Sequence, residues 1–144
     1  MEIELEYLLE RGAFKPVFAY EDDACFDLRT PFPFKLYGFE RRIITTGVRF
    51  SIPEGYYIQL SPRSGLAAKY GLMIVNSPGI VDCGYTGEVK IIVFNCSDVI
   101  LTFDRGDRIA QGMMKKKENY KLVEVSGIKV SEREASGIGS TGVK

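Results

Sequence analysis

The sequence predicts an all-β domain, a sandwich or jelly roll, on three observations. β-Branched and aromatic runs recur at 43–52, 56–61, 72–76, 88–95 and 99–103, punctuated by Gly, Pro or Asp. No stretch sustains an i, i+3, i+4 apolar stripe for more than about two turns. At 144 residues with 45% apolar content, the chain is long enough for one domain with a real core.

Taken in order, Ile3-Glu4-Leu5-Glu6-Tyr7 alternates apolar and acidic residues with the period of a half-buried strand. The five runs supply further short strands, and the segment 76–85 reads as a strand running into a hairpin. Leu66-Ala67-Ala68-Lys69-Tyr70 is the best helical candidate, one short helix bounded by Gly65 and Gly71. Lys115-Lys116-Lys117 marks a solvated strand end and receives no function. The last residues, from Ser136 to Lys144, are small, polar and rich in glycine, and are expected to be mobile until something orders them.

Composition removes several classes of function. Nineteen basic and nineteen acidic residues cancel, leaving no global field for a nucleic-acid backbone or an anionic membrane. The N-terminus is acidic where a signal peptide is basic, and no apolar run approaches the length of a membrane span, so a cytosolic protein is expected. Cys25, Cys83 and Cys96 are odd in number and widely spaced, which predicts reduced thiols rather than a disulfide framework. With no histidine, Ser-His-Asp and Cys-His mechanisms and histidine-ligated zinc are excluded.

The tail Gly137-Ile138-Gly139-Ser140-Thr141-Gly142 spells the dinucleotide pattern G-x-G-x-x-G and falls one residue short of a P-loop. Both motifs need a following helix to present its N-terminus to phosphate, and only Val143 and Lys144 follow Gly142 in the sequence. What remains is the close approach that glycine N–H groups allow to phosphate oxygens, assisted by the Ser140 and Thr141 hydroxyls and by Arg133.

Five segments follow one another along the chain: Ala24-Cys25-Phe26-Asp27-Leu28; Ser61-Pro62-Arg63-Ser64-Gly65-Leu66-Ala67; Gly79-Ile80-Val81-Asp82-Cys83-Gly84-Tyr85-Thr86-Gly87-Glu88; Asp107-Arg108-Ile109-Ala110-Gln111; and the tail. In order and spacing they resemble the five motifs of the trimeric dUTP pyrophosphatase (dUTPase) family, from about Ala24 to Gly142.

That resemblance implies a distorted jelly-roll or β-clip barrel over residues 1–131, with 132–144 as a C-terminal arm. It also implies a homotrimer in which the arm of one chain closes over a site built by the others. The implied reaction is Mg²⁺-assisted hydrolysis of dUTP to dUMP and pyrophosphate, which supplies dUMP for thymidylate synthesis and keeps uracil out of DNA. Asp82 matches the base that activates the attacking water, and Asp27 the carboxylate that meets Mg²⁺ through its waters. A cation that keeps its waters and takes phosphate oxygens needs few protein ligands. Ser64 and Gly65 are expected at the phosphates, with Arg63 anchoring the site and Gln111 on a phosphate oxygen or bridging water. Arg108 fits an interface or packing role as well as a ligand role and is left out of the catalytic set.

Base and sugar choice would fall to Asn76, an amide able both to donate to and accept from the uracil edge, with backbone at Gly79 and Val81, and to Tyr85 packed on the deoxyribose. Arg133, Ile138, Gly139, Ser140 and Thr141 would bring the arm to the substrate. Ile138 stands where the family usually has an aromatic residue over the base, Thr86 where many members have Arg, and Cys25-Phe26 where Gly-Tyr is common. Two rivals stay open. A dCTP deaminase would need a Glu ten residues after Asp82, where this chain has Ile92. A non-enzymatic trimeric binding or regulatory protein would sit poorly with Asp27, Ser64, Asp82, Gln111 and Ser140-Thr141-Gly142 all being present.

Overall fold

Ten strands and one helix make up the regular structure of a computed structural model that describes residues 2–144. The strands are β1 (Glu6–Leu9), β2 (Phe26–Arg29), β3 (Phe34–Leu36), β4 (Arg41–Ser51), β5 (Tyr56–Ser61), β6 (Leu72–Ile74), β7 (Gly79–Asp82), β8 (Glu88–Asn95), β9 (Leu101–Phe103) and β10 (Arg108–Lys116); α1 is Ser64–Tyr70. They form two four-stranded sheets, ordered β1-β4-β8-β6 and β2-β10-β5-β7, and the pair β3-β9. All pairings are antiparallel. Every consecutive connection from β1 to β10 changes sheet, the long-range wiring of a jelly-roll-type β fold.

Alternation decides which side chains go inside. On β8 the residues Val89, Ile91 and Val93 point into the core, and on β4 Ile44, Val48 and Phe50 meet them. Phe26, Leu28, Ile58, Leu60 and Val81 contribute from the other sheet to the same cluster. Each fully buried side chain of this kind is worth about 1.5–3 kcal/mol relative to exposure. Asn95, fully buried at the end of β8, donates to the carbonyls of Leu36 (3.1 Å), Tyr37 (3.2 Å) and Val99 (2.7 Å), joining the small sheet to the body.

Several elements differ from the expectations. The first strand is Glu6–Leu9 rather than 3–7, pairing with the far end of β4. The segment 76–85 is not a hairpin: β6 pairs with β8, β7 pairs with β5, and the chain crosses between sheets at 75–78 and again at 83–87. Pro78, with no N–H to give to a ladder, sits in the first of these crossings. Helix α1 starts two residues before the apolar window, at Ser64, and ends where Gly71 takes the left-handed conformation (φ 68°). Past Lys116 no strand or helix follows, and residues 117–144 are exposed throughout.

Candidate active site

One face of the β2-β10-β5-β7 sheet carries three of the candidate residues, Asp27, Gln111 and Asp82. Residues paired across an antiparallel ladder share a face. Asp27 lies opposite Gln111, and Gln111 opposite Ser61. Asp82 lies opposite Tyr57, and Tyr57 opposite Lys115. Their neighbours Phe26, Leu28 and Val81 turn the other way, into the core.

Asp27, Arg63, Ser64, Gly65 and Gln111 come together in a cavity of about 370 Å³, completed by Ala19, Asp23, Ala24 and Cys25. The Arg63 Nε donates to Asp27 Oδ1 at 3.1 Å, and Arg108 reaches Asp27 Oδ2 at 3.5 Å. The Asp27 side chain is only 12% exposed, so both of its oxygens are committed to cations in a sheltered place. Gln111 donates through Nε2 to the Pro62 carbonyl at 3.0 Å, fixing the amide beside the turn that leads into α1. Arg63 adopts an extended conformation as the residue before the helix, which leaves the N–H groups of Ser64 and Gly65 without intrahelical partners. The Cys25 thiol is pushed above its ordinary range, first by burial and then by the Asp27 and Asp23 carboxylates, so it stays protonated here. All three cysteines are free, in line with the expected thiols.

Asn76, Gly79, Val81, Asp82 and Tyr85 line a second cavity, of about 210 Å³, with Leu60, Ile80, Val89 and Lys90. Gly79 packs closely: a Cβ there would lie 3.2 Å from Leu60 Cβ and 3.4 Å from the Asn76 amide nitrogen. Asp82 ends β7 exposed to solvent, and its carbonyl accepts the Tyr85 N–H at 3.0 Å, closing a tight turn. Among the described residues Asp82 makes no ion pair.

The two cavities do not merge within one chain. Three strand spacings of about 4.8 Å across and four residues of about 3.3 Å along put Asp27 and Asp82 on the order of 20 Å apart. Arg133, Ile138, Gly139, Ser140 and Thr141 line neither cavity. Arg133 Nε turns back to the Ser136 carbonyl at 2.8 Å, Ile138 is fully exposed, and Gly139 and Gly142 take positive φ (74° and 71°) in turns closed at Ser140 and Gly142.

Sequence reading passed over Arg108 as a partner of Asp27, and over Asp23, Cys25, Ile80 and Lys90 as cavity walls. The signal for Arg108 is its place three residues before Gln111, though the register shift between Arg108 and Ala110 obscures which face it takes. Ile92, the position a deaminase would need as Glu, pairs with Ile43 in the other sheet and lines neither cavity. Among the described residues no three Cys, Asp or Glu side chains converge as a metal cage, and no helix is long and apolar enough to cross a membrane.

A family model described as dUTPase matches residues 14–142. The deoxyuridine 5'-triphosphate nucleotidohydrolase of Fusobacterium nucleatum subsp. nucleatum is 39% identical over 143 residues, covering 98% of each chain. That of Caulobacter vibrioides is 43% identical over 132 residues, covering 89% of this chain and 85% of its own. Among solved structures, the dUTPase of Staphylococcus bacteriophage 80alpha with dUpNHpp superposes with a TM-score of 0.88 at 28% identity, covering 97% of this chain and 99% of that one. A dUTPase mutant from phage phi11 of S. aureus, described with a structural Mg(II) ion, gives a TM-score of 0.81 at 25% identity over 89% of this chain and all of its own. With the matched model spanning nearly the whole chain and relatives of this identity covering most of their own length, the chain belongs to the dUTPase family.

Proposed function

We propose that this chain hydrolyses dUTP to dUMP and pyrophosphate as a homotrimer, in sites assembled between chains. The observation that carries the shared-site reading is the separation of its two carboxylates. A base must lie within about 3 Å of the water it deprotonates. Asp82 and Asp27 of one chain, on the order of 20 Å apart by strand register, cannot serve the same phosphate. A second copy that brings its Asn76–Tyr85 cavity against the first chain's Asp27–Arg63 cavity removes the difficulty.

In that assembly the exposed Asp82 carboxylate takes the proton of a water whose oxygen attacks the α-phosphorus. The bond from that phosphorus to the oxygen bridging to the β-phosphate breaks, and pyrophosphate leaves. Arg63, the Ser64 hydroxyl and the N–H groups of Ser64 and Gly65 hold non-bridging oxygens, and Gln111 holds a phosphate oxygen or a bridging water. Asn76 and backbone at Gly79 and Val81 read the uracil edge, and Tyr85 packs on the sugar. Cytosine would leave these groups unpaired, and thymine would place its methyl against backbone.

Asp27, with Asp23 on the same cavity wall, would meet Mg²⁺ through the waters that this ion keeps while it draws its other ligands from the phosphates. Bound there, Mg²⁺ would spread the charge of the triphosphate. Residues 132–144 are the arm in this reading: Arg133, Ile138, Gly139, Ser140 and Thr141 order only over a substrate held by other chains. A cytosolic location accompanies it, since the product is a nucleotide precursor.

The test is pyrophosphate release from dUTP, dCTP, dTTP and UTP side by side, with and without Mg²⁺. Release confined to dUTP and abolished by chelation is the expected result. Release from none of the four by an intact oligomer would return the chain to a binding role.

A further inference from the structure

Resting on the reading above, we infer that Gly87 is a positioning residue for sugar choice: it leaves the space in which the Tyr85 ring lies, with the ring hydroxyl anchored on the Glu88 carbonyl. Tyr85 Oη donates to that carbonyl at 2.7 Å, so the ring folds back over its own turn at the edge of the Asn76–Asp82 cavity. A Cβ on residue 87 would lie 2.8 Å from Oη, 2.9 Å from Cζ and 3.2 Å from Cε2 of Tyr85. The backbone of Gly87 is not among the positive-φ positions. Glycine here therefore leaves space for the ring rather than supplying a conformation.

The turn cannot move aside to make room, because both of its flanks are tied to β4. Arg49 Nε donates to the Thr86 carbonyl at 2.8 Å. Glu88 Oε1 accepts the Gly47 N–H at 2.6 Å, where four residues of β4 pass against two of β8 and leave that N–H outside the ladder. With residues 86 and 88 fixed on either side, a side chain at 87 displaces the ring rather than the backbone. A displaced ring breaks its hydrogen bond and opens the room that a 2′-hydroxyl would need.

The experiment compares kcat/KM for dUTP and UTP in the wild type, Gly87→Ala, Tyr85→Phe and the double variant, with melting temperature and oligomeric state as controls. Each single substitution is expected to lower the dUTP-to-UTP preference roughly tenfold, and the double variant no further than the larger single, because both act through one ring. An unchanged preference in Gly87→Ala, or losses that multiply in the double variant, would overturn the inference. Were Gly87→Ala not to fold, Tyr85→Phe decides alone, a tenfold fall supporting the anchoring and no change refuting it. A wild type that hydrolyses none of the triphosphates sinks the functional reading separately; the same variants are then compared by calorimetric binding of dUMP against UMP, with the same pattern expected.

Discussion

The two cavities on the β2-β10-β5-β7 sheet are built by opposite means. In the first, Asp27 sits on β2, an edge strand of that sheet, and is held by Arg63 and Arg108, with its side chain largely sheltered. In the second, Asp82 stands at a strand end, solvent-exposed and without an ion pair among the described residues. A carboxylate whose oxygens are both committed is suited to organising charge, and one whose oxygens are open is suited to accepting a proton. The same residue type thus meets two different surroundings, which is why losses at the two sites should look different.

The largest expected effect is at the open carboxylate. Asp82→Asn should fold normally and keep its KM for dUTP while kcat falls by roughly 10²–10⁴, the usual worth of a positioned base. Steady-state kinetics alongside thermal melting check this, and near-normal turnover would remove Asp82 from its role. Arg63→Ala should be felt in stability as well as activity, since it strips the better of the two partners from sheltered Asp27. A destabilisation of about 1–3 kcal/mol in urea unfolding is expected. Arg108→Ala should cost less, as its contact is longer and its side chain more exposed.

Smaller effects sharpen the contrast. Ile138→Phe should lower the KM for dUTP by roughly two- to tenfold, because an aromatic face adds about 0.5–1.5 kcal/mol over plain apolar contact. An unchanged or higher KM would count against the arm closing over the base. The two cavities should also differ toward a thiol reagent. Cys83, exposed beside Asp82, should be alkylated well before Cys25, whose thiol is held protonated by burial and by Asp27 and Asp23. Mass spectrometry of a time course at mildly alkaline pH reads the order directly.

How much was legible beforehand varies with element length. The long alternations of β4 and β8 reveal themselves in sequence, since several residues repeat the same pattern. Phe26–Arg29 and Phe34–Leu36 do not, because three or four residues offer too few periods to distinguish from loop. Helix α1 buries none of its residues, so no apolar stripe marks its start at Ser64. The segment 76–85 is not a hairpin because β7, inside it, pairs with β5 in the other sheet, while β6 and β8, which flank it, pair with each other. Candidate site residues were proposed one by one through the motif resemblance. Their division into two cavities was not, because that division depends on the register of β10 and β5, which no local pattern displays. The packed body likewise ends at Lys116 although Tyr120, Leu122, Val123 and Val125 continue an apolar pattern, now exposed.

We propose that each active site joins the Asp27 cavity of one chain to the Asp82 cavity of another. This is tested by making Asp27→Asn and Asp82→Asn separately, verifying that each oligomer is folded and inactive, then unfolding and refolding them as an equal mixture. If the halves come from different chains, random reassembly leaves intact pairs at roughly a quarter of the sites, and dUTPase activity should return to about that fraction of wild type. A mixture as inactive as either parent, in proven hybrid oligomers, would contradict the account.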